Sequence, residues 1–151
     1  MRKQRAFTRI ELTAPIASLA ILAGVSIPLA RNSIKREREK ELHQALREMR
    51  TAIDKYKEAS DLGRIEVPTD TEGYPQTLDQ LVDGVQLIGQ AGKNIKFLRK
   101  IPIDPMTNST DWGMRSYQDE AAAQSWGGQN VFDVYTKSDG VAFDGTRYRD
   151  W

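Results

Sequence analysis

The sequence contains no cysteine and a single histidine, His43. Without cysteine there is no disulfide, no thiolate nucleophile and no cysteine-based zinc site. One histidine excludes a metal centre built on several imidazoles. Charge of one sign is also missing: 22 basic side chains face 21 acidic ones, a formal net charge of +1. A chain this close to neutral has no bulk electrostatic attraction for nucleic acid. There is no glycine-rich phosphate-binding loop, no repeat of fixed period and no low-complexity tract. What is left is a chain of 151 residues, a length that suits one modest domain with an appendage.

The apolar residues are unevenly spread. Residues 10–30 are mostly apolar, whereas the remainder is polar and charged. As a helix, about 21 residues extend roughly 31 Å at ~1.5 Å each, which matches a hydrocarbon core of ~30 Å. Arg2, Lys3 and Arg5 precede the run, and flanking positive charge tends to stay cytoplasmic. The bulk of the chain is therefore expected across the membrane. A cleaved secretory signal is the plainer alternative, but its apolar stretch runs only ~7–15 residues and ends at a small-residue cleavage site. Here the run is longer and a charged segment follows it directly.

One acid, Glu11, lies at the start of the apolar run. A charge at the centre of a membrane helix costs ~2.5–3.5 kcal/mol on insertion scales, less near the interface. Thr8 and Glu11 have the spacing of a capping box, in which both side chains satisfy free N–H groups at a helix start. That is one account of the acid; a partner outside the chain is the other. Pro15 and Pro28 each remove a helix N–H, and the stretch from Gly24 to Pro28 is the expected bend.

Residues 31–60 continue as a predicted helix. Its opening mixes charges at helical spacing, with Lys35 and Glu39 four apart and Arg38 and Glu41 three apart, pairs worth ~0.2–0.5 kcal/mol each. Further on, Leu42, Ala45, Leu46, Met49, Ala52, Ile53 and Tyr56 recur at intervals of three and four. This is the single apolar stripe of a helix lying on a sheet. His43 sits beside the stripe with no Ser or Cys nucleophile close to it in sequence. Gly63 is a natural stop for the helix. Residues 64–76 read as a loop, Thr77 as the cap of a short helix from Leu78 to Val82 ending near Gly84, and Met114–Asp119, Val131–Thr136 and Thr146–Trp151 as strands. Trp112, Tyr117, Trp126, Phe132, Tyr135 and Trp151 offer bulky area for a small core. The fold class expected is α+β.

The head carries Ala6-Phe7-Thr8 followed by Ile10-Glu11-Leu12, with Pro28 late in the apolar run. This order resembles the leader and helix start of type IV pilins and pseudopilins, with Ala6 where Gly is usual and Arg9 where an apolar residue is usual. Three further segments are similar to the major, G-type pseudopilin of type II secretion. They are Tyr74-Pro75-x-Thr77, Ile101-Pro102-x-Asp104-Pro105, and the run from Phe132-Asp133-Val134-Tyr135 through Ser138-Asp139-Gly140 to Trp151. Major type IV pilins usually close this last region with a disulfide, which a chain without cysteine cannot form.

The resemblance implies a pilin-like fold: a long N-terminal helix, half in the membrane, packed on a small antiparallel sheet. It divides the chain into a basic leader (1–6), a transmembrane and assembly helix (7–30), an amphipathic continuation (31–60) and a periplasmic globular part (61–151). It implies that a prepilin peptidase cuts between Ala6 and Phe7 and that the new Phe7 amine is N-methylated. Glu11 then faces the Phe7 ammonium of a neighbouring subunit or its own. Cutting there leaves 19 basic side chains against 21 acidic ones, a net charge of −2. The implied role is mechanical rather than enzymatic: a homopolymeric periplasmic filament that drives protein export. Its implied partners are minor pseudopilins, the peptidase and an inner-membrane assembly platform, with no nucleic acid. The family also implies Ca2+ in the loop between the last strands, here 136–145. Asp139 and Asp144 would supply carboxylates, and Ser138 and backbone carbonyls would add oxygens. Asp-Gly pairs are equally ordinary turn chemistry. A surface-exposed type IV pilin is the alternative within the family, and a membrane-tethered periplasmic enzyme or binding domain is the alternative outside it.

Overall fold

Between residues 31 and 61 the sequence holds no proline and no glycine, and good helix formers dominate. A computed structural model of the chain accordingly shows one long helix, α1, over Arg9–Asp61. The structure describes the backbone of residues 9–90 and 92–151 and the side chains from residue 31 onward, residue 91 excepted. The chain forms two units, residues 1–37 and 38–151. Among the described residues, no helix is long and apolar enough to cross a membrane. The expected span, 10–30, falls where only the helical backbone is described.

α1 ends as Gly63 predicts. Gly63 has φ +62°, its N–H donates to the Ser60 carbonyl, and the Arg64 N–H donates to the Ala59 carbonyl. These are the two bonds of a Schellman motif, which satisfies carbonyls the helix leaves free. A short helix, α2, covers Asp79–Asp83.

The sheets are small. β1 (Val85–Gln86) pairs antiparallel with β2 (Asn94–Ile95), Val85 opposite Ile95. β3 (Gly113–Arg115) pairs antiparallel with β4 (Asp133–Tyr135), Met114 opposite Val134. The chain is thus α+β, with one long helix and two small antiparallel sheets. Gly113 is required by β4: a Cβ there would lie 2.3 Å from the Tyr135 ring.

The predicted stripe of α1 is the centre of the core. Leu42, Ala45, Leu46, Met49, Ala52, Ile53 and Tyr56 are all buried, together with Leu81, Trp112, Val131 and Val134. Burial of apolar area at ~25 cal/mol per Å² is what holds α1 to the strands and loops.

Three expectations are corrected. The segment 146–151 is not a strand; Tyr148–Asp150 forms a 3-10 turn, because the Tyr148 side chain turns into the core at 5% exposure. Its one ladder contact is an isolated bridge between Val141 and Arg147. The strands expected at Met114–Asp119 and Val131–Thr136 are present but shorter. Of the aromatics expected in the core, Trp112 and Tyr135 are buried, while Tyr117, Trp126 and Phe132 are exposed. Tyr117 and Phe132 instead pack on Tyr74 and on each other, at ring distances of 5.3–5.9 Å. The hairpin of β1 and β2 has no counterpart in the expected elements.

Candidate functional site

Ala6 and Phe7, the expected cleavage and methylation residues, lie outside the described residues. Glu11, Gly24 and Pro28 fall in the helical backbone of α1, where side chains are not described.

A polar network lies where segment 136–151 meets the 39–50 stretch of α1. It begins with Arg50, next to Met49 of the core stripe. Its Nε donates to Asp133 Oδ1 at 2.7 Å, and its Nη2 lies 3.2 Å from the Val134 carbonyl and 2.7 Å from the Trp151 main-chain oxygen. The same carboxylate takes a second guanidinium, Arg115 Nη1, at 3.3 Å. Arg115 also donates to the Ala123 carbonyl at 3.1 Å and lies 4.1 Å from the Tyr135 ring centre. One half-buried aspartate on β4 thus joins the helix, both strands of the second sheet and the 116–130 loop. Charge-assisted bonds of this kind are stronger than neutral ones.

Three turns earlier, the Tyr148 hydroxyl donates to Glu39 Oε1 at 2.8 Å. Burial, then the bond to Glu39 and its negative charge, push the Tyr148 hydroxyl up to about 12. His43 lies between, stacked on the Trp151 indole at 4.1 Å with the rings 7° from parallel. Trp151 meets the Tyr148 ring edge-on at 5.0 Å and donates its indole N–H to Thr146. His43 is therefore the bed of an aromatic stack, not a base beside a nucleophile.

A second polar centre is the Ile101-Pro102-x-Asp104-Pro105 turn. Asp104 is fully buried. Its carboxylate accepts the Met106 N–H at 2.8 Å, the Thr107 hydroxyl at 3.1 Å and the buried Thr136 hydroxyl. Its backbone pairs with Ser109. The turn is thereby tied to the end of β4, and Trp112 closes it by donating to the Pro102 carbonyl at 2.9 Å.

The loop expected to bind Ca2+ is closed by its own bonds. Asp139 pairs with the Arg149 guanidinium. Asp144 accepts both the Thr146 hydroxyl at 2.7 Å and the Thr146 N–H at 2.9 Å through Oδ1, and those bonds hold its carboxyl below the usual range. The Ser138 hydroxyl accepts the Gly140 N–H, and the Gly140 and Ala142 carbonyls accept from Tyr148 and Gly145. Calcium takes six to eight oxygens. The structure gives the two carboxylates separate partners, and among the described residues no group of three or more acidic or histidine side chains gathers to hold a metal.

No protein-family model, no curated protein and no solved structure matches the chain.

Sequence reasoning did not single out Arg50, Arg115, Arg149 or Tyr148, and it read Glu39 only as a helix charge pair with Lys35. Arg50 carried one signal: it is a charge directly beside Met49 in the buried stripe, at a position whose long side chain can reach over the helix shoulder. Arg149 and Tyr148 follow the Asp-Gly turns with nothing in their spacing to announce a return to the helix.

Proposed function

We propose that the chain is a pseudopilin, the structural subunit of a type II secretion pseudopilus that polymerises through its N-terminal helix to drive protein export. The observation that carries this function is the residue order of the head, Ala6-Phe7-Thr8-x-Ile10-Glu11-Leu12, in an α+β chain whose helix α1 runs for 53 residues from Arg9. The coarse layout of that chain is compatible with a pilin-like fold. The cysteine-free composition favours a pseudopilin over a disulfide-closed surface pilin.

The mechanism follows from electrostatics. The leader holds the N-terminus on the cytoplasmic side while the peptidase cuts between Ala6 and Phe7. The new Phe7 ammonium and the Glu11 carboxylate of adjacent subunits then neutralise each other in a medium of low dielectric. Pairing offsets the cost of burying each charge and sets subunit register. Work is done by assembly, with energy from a separate cytoplasmic ATPase. Minor pseudopilins and the inner-membrane platform are the proposed partners, and the C-terminal unit is periplasmic.

Filaments sheared from cells expressing the chain test the assembly role. Wild type is expected in the sedimented filament fraction, and Glu11→Ala in the membrane fraction as processed monomer. Equal filament yield from the variant would refute the role of Glu11. Deletion is expected to abolish protein export and leave twitching motility intact; the reverse outcome would favour a surface pilus.

A further inference from the structure

We propose that the loop spanning residues 138–149 carries its own cation: the Arg149 guanidinium closes it through Asp139, and no divalent ion is needed for its fold. Three observations converge. Arg149 pairs with Asp139 across the base of the loop, and its side chain is only 19% exposed. A partly buried guanidinium that holds an exposed carboxylate, Asp139 at 86% exposure, supplies charge neutralisation that a metal would otherwise provide. The pairing also disfavours a metal, since a calcium ion on Asp139 would sit beside the Arg149 guanidinium and the two cations would repel.

The rest of the loop is already a closed hairpin. Tyr148 N–H donates to the Gly140 carbonyl at 3.1 Å, and Ala142 N–H donates to the Thr146 carbonyl at 2.8 Å. Asp144 locks the tip through Thr146. A Cβ at Gly140 would lie 2.8 Å from the Tyr148 ring, so the loop is pressed onto the aromatic residue that anchors it to Glu39. The Gly140, Ala142 and Thr146 carbonyls are spent within the hairpin. Arg149 itself is held from behind, its carbonyl 3.5 Å from Arg115 Nη2. The clasp is a one-chain device that stands apart from the filament role: it survives if the chain proves not to polymerise.

The test is thermal unfolding of the full chain in detergent, in EDTA and in millimolar calcium chloride. Wild type is expected to melt at the same temperature in both, and calorimetric titration with calcium chloride is expected to show no saturable binding. Arg149→Gln and Asp139→Asn are each expected to lower the melting temperature, by about 4 °C for a lost interaction of ordinary size, in both solutions alike. A wild-type melting temperature that falls in EDTA and returns with calcium would overturn the proposal. So would either variant melting with wild type. Should Arg149→Gln fail to fold, Asp139→Asn, which keeps the guanidinium and removes only the charge it meets, decides the question alone.

Discussion

Tyr148 shows how one residue decides the path of a segment. Its ring is buried against Gly140 and Trp151, and its hydroxyl spends its proton on Glu39. The consequence is a pH dependence whose sign is fixed. The folded chain keeps this proton up to about 12, whereas the ordinary tyrosine loses it near 10.0. The stabilisation is therefore complete below about pH 10 and is lost as the pH rises toward 12. Burial raises Tyr56 and Tyr74 in the same direction. Equilibrium unfolding between pH 8 and 12 is expected to show a steep alkaline loss of stability. Tyr148→Phe is expected to be less stable by about 1 kcal/mol at neutral pH and to decline less steeply above pH 10. An unchanged alkaline slope in the variant would remove Tyr148 from the account. Asp104 makes the opposite kind of case, an acid kept inside because every neighbour donates to it. Asp104→Ala leaves the Met106 N–H and the Thr107 and Thr136 hydroxyls without their acceptor. Denaturant unfolding is expected to show a loss of about 1.5–3 kcal/mol.

At the scale of elements, the stripe of α1 was legible because a period of three and four residues leaves one physical solution, a helix with one buried face. Leu42 through Tyr56 occupy that face as predicted. Leu46→Ala is expected to cost about 2–5 kcal/mol in unfolding free energy, the range for a deleted core leucine. The Gly63 stop was legible for a similar reason, since few residues take a positive φ there. The strands were legible only in part. β3 and β4 have three residues each, too few for alternation to mark a face, and their register depends on Gly113 meeting Tyr135. Gly113→Ala is expected to lower the melting temperature and loosen this pair, visible as faster amide exchange at Met114 and Val134; wild-type exchange there would contradict the close approach. The third strand failed because an alternating polar and aromatic run, Thr146 to Trp151, serves equally well for a turn whose aromatics reach back to a helix. Tyr117 and Phe132 failed as core residues because they satisfy one another with Tyr74 at the surface. The site was least legible of all. Arg50 and Asp133 lie 83 positions apart, and no local pattern connects them.

For the whole molecule, the α+β layout ties the two ends of the second unit together. Arg50, Glu39 and His43 on α1 each hold part of segment 136–151, so the last residues of the chain brace the helix that leads toward the head. A subunit that bears load through its N-terminal helix needs that helix fixed to its globular part, and the proposed function uses the arrangement in this way. The head itself is where function is decided. A membrane-tethered enzyme keeps its leader, and an ordinary secreted protein loses the apolar run; only a pilin-type subunit is cut between Ala6 and Phe7. Intact mass and N-terminal fragment analysis of the chain recovered from membranes measures this directly. The expected result is a chain beginning at Phe7 and carrying one added methyl group on its amine. A chain still beginning at Met1, or cut at any other bond, would contradict the account.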